Sequence, residues 1–345
     1  MARIELPALT QWITTAAQQH GDDLPAQLMA RLSIGRRAAS NLLARLVEAQ
    51  WLLRDDSAPG ARRKPVYRPG VLKQVVCRYP LAGLQEDLPW SRDFGPYFDL
   101  APNVLRIARH AFTELVNNAI DHSGGSQVTV SVRQTAMHLQ MLVSDDGCGV
   151  FDSLQRSFEI ADPQLAMIEL CKGKLTSQPD RHCGQGLFFT SRLADVFDLH
   201  ANQQAFQHRG WGSAGWYAGK PMARQGSSIF FGLALESTRT LDEVLRAHSA
   251  DGAGYGFEAT SVPLRLLAGP EGALESRAQA KRVASRLQQF RRVEVDFSGV
   301  DDVGPAFADE LFRVFSRSHP GLEMQPVGMA PRVAAMIASV RQAAH

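Results

Sequence analysis

The chain has 345 residues, 45% of them apolar, with a formal net charge of +2. That length supports two or three cores. A bilayer-spanning class is excluded, because no run of about 18 apolar residues occurs. MARIELPALTQW lacks the continuous apolar stretch of a signal peptide. The four cysteines have no CxxC spacing, so a reduced, cytoplasmic setting is expected. Charge is uneven along the chain. Residues 1–80 hold twelve Lys/Arg against six Asp/Glu, for +6. Residues 81–256 hold fourteen against nineteen, for −5, and residues 257–345 eleven against ten, for +1. A basic excess confined to the front is what a nucleic-acid-binding head needs.

In residues 1–71, LPALTQWITTAAQQH predicts an amphipathic helix with Leu9, Trp12, Ile13 and Ala16 inward. LPAQLMARL predicts a second helix and SIGRRAASNLLARLVEAQWLL a third, with Ser33 as its N-cap. Leu42, Leu43, Leu46 and Val47 would pack on the first. Arg36, Arg37, Ser40 and Asn41 fall near the start of helix three, where a recognition helix meets base edges and phosphates. RDDSAPGARRKPVYRPG then predicts a hairpin with a basic tip. This piece resembles a winged helix-turn-helix domain, with Arg62, Arg63 and Lys64 as the wing. The resemblance implies double-stranded DNA as a partner and a homodimer on paired half-sites. The competing reading is a protein-docking module with a solvated turn.

Residues 72–94 read as a connector punctuated by prolines. Trp90, Phe94, Tyr97 and Phe98 are apolar anchors that predict packing on the next domain, since disordered linkers seldom carry so many aromatics.

Residues 95–247 hold the most informative pattern. In HAFTELVNNAIDH, Glu114 and Asn118 lie four residues apart and share a helix face. Such a pair suits a hard cation on the Asn118 oxygen and a water polarised by Glu114. HLQMLVSDDGCGV predicts a strand breaking into Asp145, Gly147 and Gly149, with Asp145 suited to accept from an exocyclic amine such as that of adenine. Gly184 and Gly186 precede an apolar helix, whose free N–H groups suit phosphate. These three motifs, in this order, resemble the GHKL ATPases: histidine kinases, gyrase-type enzymes, mismatch-repair and heat-shock chaperone ATPases, and anti-sigma kinases.

The resemblance implies a Bergerat-type α/β sandwich binding ATP and Mg²⁺. It makes Glu114 the catalytic carboxylate, Asn118 the Mg²⁺ ligand and Asp145 the adenine contact. Gly147, Gly149, Gly184 and Gly186 would shape the nucleotide cradle. Ser227 and Ser228 stand where the family has its last box, with Ser228 toward the adenine side, and residues 151–183 would be a flexible lid. Asp146 departs from the family's Asn and adds negative charge near the nucleotide. Other patterns are decoys. Gly210–Gly215 matches a dinucleotide motif without its strand and helix, so a turn is expected. No GxxxxGK[ST] motif occurs, and a metal at Cys171, His182 and Cys183 lacks ligand spacing.

Residues 256–345 alternate strand and helix, predicting a small α/β layer. SVPLRLLAG, RRVEVDFSGV and LEMQPVG read as strands. ESRAQAKRVASRLQQF, GPAFADELFRVFSRS and PRVAAMIASVRQ read as helices. VEVDFSGVDDVGPAFADELF is similar to STAS-like domains related to anti-sigma factor antagonists. The loop before the second helix, Val300 to Pro305, lacks the hydroxyl phosphorylated in those antagonists, so docking to a regulatory protein or domain is the better reading. Asp301 and Asp302 would cap the helix.

The whole is expected to be a multidomain α+β and α/β chain. Its leading function is an ATP-dependent regulatory switch coupling MgATP to DNA binding and protein docking, with transcriptional regulation as the simplest output. One alternative is an anti-sigma-type Ser/Thr protein kinase acting on a partner. The other is a non-catalytic interaction protein with a degenerate ATP site.

Overall fold

A computed structural model describes residues 6–58, 64–160, 162–175, 184–211, 215–268 and 274–342. Apolar residues at helical spacing fold the front into α1 (Leu6–His20), α2 (Leu24–Leu32) and α3 (Arg36–Glu48). Ile13, Leu24, Leu28, Leu43 and Leu46 form their shared core. Ser33 does not cap α3 as expected. It ends α2 in a left-handed conformation (φ 52°), and α3 begins after Gly35. β1 (Leu52–Arg54) and β2 (Tyr67–Pro69) pair as an antiparallel ribbon. Arg62 and Arg63, expected at the hairpin tip, lie outside the described residues.

The central sheet has seven strands in the order β3-β4-β5-β9-β6-β7-β8. They are β3 (Lys73–Pro80), β4 (Gln127–Gln134), β5 (His138–Asp145), β6 (Val196–Ala201), β7 (Gln204–Arg209), β8 (Gly215–Ala218) and β9 (Ser227–Ala234). Every neighbouring pair is antiparallel. Residues 73–80 were expected in a connector and instead form the edge strand, paired with β4 from Lys73–Gln134 to Pro80–Gln127. Buried Val75 and Tyr79 alternate with more exposed residues along it.

An edge strand needs cover for its unpaired backbone groups. Helix α1 supplies it: the buried hydroxyl oxygen of Thr14 accepts from Gln74 N at 3.0 Å. The strands flanking Gly210–Gly215 pair as β7 and β8, as a hairpin requires. Residues 212–214, within that motif, lie outside the described residues.

Helix α4 (Pro102–His122) packs on β5 and β9, and α7 (Gly186–Leu193) packs against α4. Fully buried Phe112 anchors α4, with Trp90 and Phe94 rings 5.2 and 5.1 Å away. Between the glycine motifs lie α5 (Val150–Phe158) and α6 (Pro163–Lys172). The expected flexible lid is therefore helical over most of its described length, and Ala166–Lys172 is mostly buried. Helix α8 (Leu241–Ala247) opens with a Thr240–Glu243 capping box.

The tail has a parallel sheet, β10-β11-β12, of β10 (Ala259–Pro263), β11 (Arg292–Asp296) and β12 (Glu323–Val327). SVPLRLLAG is strand only to Pro263, then turns through a short helix at Leu264–Leu266. Helix α9 (Arg277–Ala284) stops six residues short of its expected end, because Arg286 is left-handed (φ 64°). After it come α10 (Pro305–Asp309), a π-helical turn (Glu310–Phe315), α11 (Ser316–Ser318) and α12 (Pro331–Gln342). Asp301 and Asp302 do not cap α10. Its N-cap is Gly304, and Asp302 accepts from the adjacent Val303 N at 2.8 Å. Among the described residues no helix is long and apolar enough to cross a membrane.

Candidate functional site

A cavity of about 320 Å³ lies between α4, the end of β5, α5, α6 and the start of α7. That is the size range of small-molecule sites. His110, Glu114, Asn118 and His122 line it from one face of α4. Four residues of α-helix rise about 6 Å, so these groups form a ladder along one wall. The adjoining apolar stripe carries Ala108 and Ala111 into the core, and buried Leu115 and Ala119 line the cavity beside the ladder.

The Glu114 carboxylate lies against the first residue of α7. A Cβ on Gly186 would collide with Glu114 Oε2, so only glycine permits that approach. Asn118 Nδ2 is buried and has no hydrogen-bond partner among the described residues. The two ends of a carboxamide exchange by a half-turn about the last torsion, so an oxygen can occupy the same unsatisfied place. This unspent polar group fits a ligand-holding role. Among the described residues no three His, Cys, Asp or Glu side chains cluster as a metal cage. The donor set instead fits Mg²⁺ of the nucleotide-borne kind, which takes one or two protein oxygens and completes its shell with phosphate and water.

Asp145 ends β5 and is buried. Its Oδ1 accepts from Gly147 N at 3.0 Å and Ser227 N at 3.1 Å. Burial pushes its carboxyl pKa up, while those two backbone N–H groups oppose the shift. These two bonds engage Oδ1 and fix the carboxylate on the cavity wall. Gly184 and Gly186 also line the cavity, with Gly184 left-handed (φ 66°).

Gly147 and Gly149 stand behind the wall. A side chain on Gly147 would strike Ser123 O, the carbonyl that accepts from Cys148 N at 3.0 Å. Gly149 (φ 85°) is covered by Asn202. Asn202 Nδ2 donates to Cys148 O at 2.8 Å, and its Oδ1 accepts from Phe151 N at 3.2 Å. The start of α5 is thus held by a side chain from the β6–β7 turn.

Two expectations change. Ser228 is fully buried behind the wall, its hydroxyl 2.8 Å from that of Ser144, and Ser227 is the serine that lines the cavity. Alternation explains this: adjacent strand residues face opposite sides of the sheet. Asp146 does not face the cavity. Its carboxylate accepts from Ser126 N (2.7 Å), Gln127 N (2.9 Å) and Ser126 Oγ (2.6 Å). The Ser126 hydroxyl and these N–H groups hold its pKa down to about 2. The charge expected beside the nucleotide is spent on the turn leading into β4.

His110 was not among the expected site residues. Its Nε2 is buried without a partner among the described residues, and burial lowers its pKa, so the ring is neutral at pH 7. The four-residue repeat through Glu114 and Asn118 could have found it, as it could His122. Arg36, Arg37, Ser40 and Asn41 are all exposed on the first half of α3, and Lys64 is exposed beyond β1. They lie outside this cavity. His182 and Cys183 lie outside the described residues, and Cys171 is buried.

Residues 103–214 match the family of histidine kinase-, DNA gyrase B- and HSP90-like ATPases. The match begins at α4 and spans both glycine motifs. Residues 279–330 match a STAS-like domain of unknown function. No curated protein matches the chain. The chain thus carries an ATPase domain of the histidine kinase-, DNA gyrase B- and HSP90-like type, followed by a STAS-like domain.

Proposed function

We propose that the cavity binds MgATP and that the chain is an ATP-dependent regulatory switch. The observation that carries this is the convergence of Glu114, Asn118, Asp145 and Gly186 on one cavity. In this reading Asp145 Oδ2 takes the exocyclic amine of adenine, and the N–H groups at the start of α7 face the phosphates. Asn118 would hold Mg²⁺, which would supply charge neutralisation at the phosphates. Glu114 orients the attacking water and takes its proton. Neutral His110, one turn further along the wall, is a second acceptor on the same side.

The test follows the γ-phosphate. The full chain is incubated with Mg²⁺ and γ-labelled ATP, and label is separated into free phosphate and protein. Free phosphate is expected. Label retained on this chain or on an added lysate protein would instead mean a kinase of the anti-sigma type. If no nucleotide binds, the interaction-protein reading takes over.

Gly186→Ala is a sharper check of the same geometry. The added methyl must push the Glu114 carboxylate aside, and a flexible side chain yields at little cost. Turnover is expected to fall at least about tenfold with the melting temperature little changed. Unchanged turnover would remove Glu114 from the chemistry.

The front domain is proposed to bind duplex DNA. Its three helices and ribbon follow the order of a winged helix-turn-helix, and exposed Arg36, Arg37, Ser40 and Asn41 share one side of α3. Arg36→Ala with Arg37→Ala should weaken duplex binding. Each phosphate-binding cation removed should lower the logarithmic salt slope by about 0.9. An intact chain that binds no duplex at low salt would make the head a docking module. Transcriptional regulation is the simplest output of such a switch.

A further inference from the structure

Besides the packing of α6 on β10, the tail meets the ATPase domain through residues 285–290, which join α9 to β11. Lys172, the last residue of α6, is 1% exposed and donates to Ser285 O at 2.8 Å and to Glu169. Arg286 donates to Lys174 O and lies 3.8 Å from Glu169 Oε2. Its guanidinium is also 6.0 Å from the Phe158 ring at the end of α5. Lys174 Nζ donates back to Gln289 O at 2.6 Å and sits 4.4 Å from the Phe290 ring centroid. From β10, Thr260 Oγ1 donates to Lys172 O at 2.8 Å.

The same two helices back the cavity. Phe158, Leu170 and Leu175 line it from α5, α6 and the turn after α6. On the far side, cavity-lining Phe188 of α7 meets Phe257 at 4.6 Å, which meets Phe290 at 5.4 Å. The helices between the two glycine motifs therefore have the cavity on one side and the tail on the other. Buried Glu169 depends on this seam. Among the described residues its Oε2 has no hydrogen-bond donor, and Lys172 and Arg286 balance its charge. An unbalanced buried charge is costly, so the seam is unlike a sliding surface contact.

We propose that Arg286, together with Lys172 and Lys174, is a positioning residue for the nucleotide: the STAS-like tail holds α5 and α6 in their ligand-binding arrangement, and the ATP site is incomplete without it. This rests on the reading of the cavity as a nucleotide site. Arg286 does not line the cavity and acts through Glu169 and the Lys174 backbone. Linkage then requires reciprocity. A tail that favours the binding arrangement must itself be held more tightly when nucleotide is bound.

The test uses the full chain, Mg²⁺ and a non-hydrolysable ATP analogue. Analogue affinity is measured by calorimetry for the wild type, Arg286→Ala, Arg286→Lys and Lys174→Asn. Asn is chosen because it tolerates the left-handed backbone at Lys174 (φ 59°). Amide hydrogen exchange over 163–175 and 285–290 is followed with and without analogue. Arg286→Ala should weaken binding about tenfold, within the usual range of coupling between sites. Arg286→Lys should fall between, since it keeps the charge beside Glu169 and loses the fork geometry. Lys174→Asn, which leaves the buried pair intact, should weaken binding in the same direction and serves if Arg286→Ala fails to fold. In the wild type, analogue should slow exchange at 285–290. Folded variants with wild-type affinity, or no change in exchange at 285–290, would overturn the inference while leaving the ATP site standing. A wild type that binds no analogue would overturn the ATP reading, and this inference with it.

Discussion

Glu114→Ala is expected to bind MgATP and release almost no phosphate from it. Positioned general bases contribute on the order of 10²–10⁴ in rate, and the variant should lose that factor in kcat. Affinity should change little, because the proposed function gives phosphate recognition to the start of α7 and adenine recognition to Asp145. Glu114→Gln is the stricter version, since it keeps the shape beside Gly186 and removes only the basicity. The measurement is single-turnover release of labelled phosphate beside equilibrium binding of the same nucleotide. If both variants hydrolyse like the wild type, another group activates the water, and His110 is the next to replace. If affinity falls together with rate, Glu114 holds the ground state and is not the base.

Asn118→Ala is expected to abolish the Mg²⁺-dependent part of nucleotide affinity. The carboxamide is a neutral oxygen donor on the α4 ladder between Glu114 and His122, and its buried Nδ2 has no partner among the described residues. Changes even to groups behind metal ligands cost about 10–100-fold in metal affinity, and loss of a direct ligand should cost at least that. Titration with nucleotide in Mg²⁺ and in EDTA separates the effects. The wild type should differ between the two conditions and the variant should not. A variant that keeps its Mg²⁺ dependence would place the metal elsewhere. Small loss of fold stability is expected, because removing an unsatisfied buried amide relieves its desolvation.

These two predictions concern residues that are legible in the sequence, for a physical reason. Glu114, Asn118, Ala111 and Leu115 are related by helical periodicity within thirteen residues, and a helix needs no distant partner to set their faces. The same holds for α1, α3 and α12 and for the alternation in β11. Where local signals compete, they are harder to read. Ser33 has the chemistry of an N-cap, yet it ends the preceding helix, and the left-handed Arg286 ends α9 within a sequence that favours helix.

The remaining features depend on partners far along the chain. Val75 and Tyr79 show strand alternation, but their place in the sheet depends on β4, more than forty residues on by number, and on Thr14 from the head. Asp146 follows Asp145 directly. One faces the cavity and the other the Ser126 turn, because consecutive positions of an extended backbone point to opposite sides. Ser227 and Ser228 divide in the same way. The seam of Glu169, Lys172 and Arg286 joins two domains whose segments show no relation in sequence.

Local hydrogen bonding and side-chain period encode the helices, most strands, the order of three nucleotide-type motifs and the α/β character of the tail, and all of these can be read along the chain. Which serine meets the cavity, what Asp146 does, how β3 joins the sheet and what backs α6 emerge only once the chain is folded. Those outcomes depend on strand register and on burial of charge between distant segments, and neither is written in any one stretch of the chain.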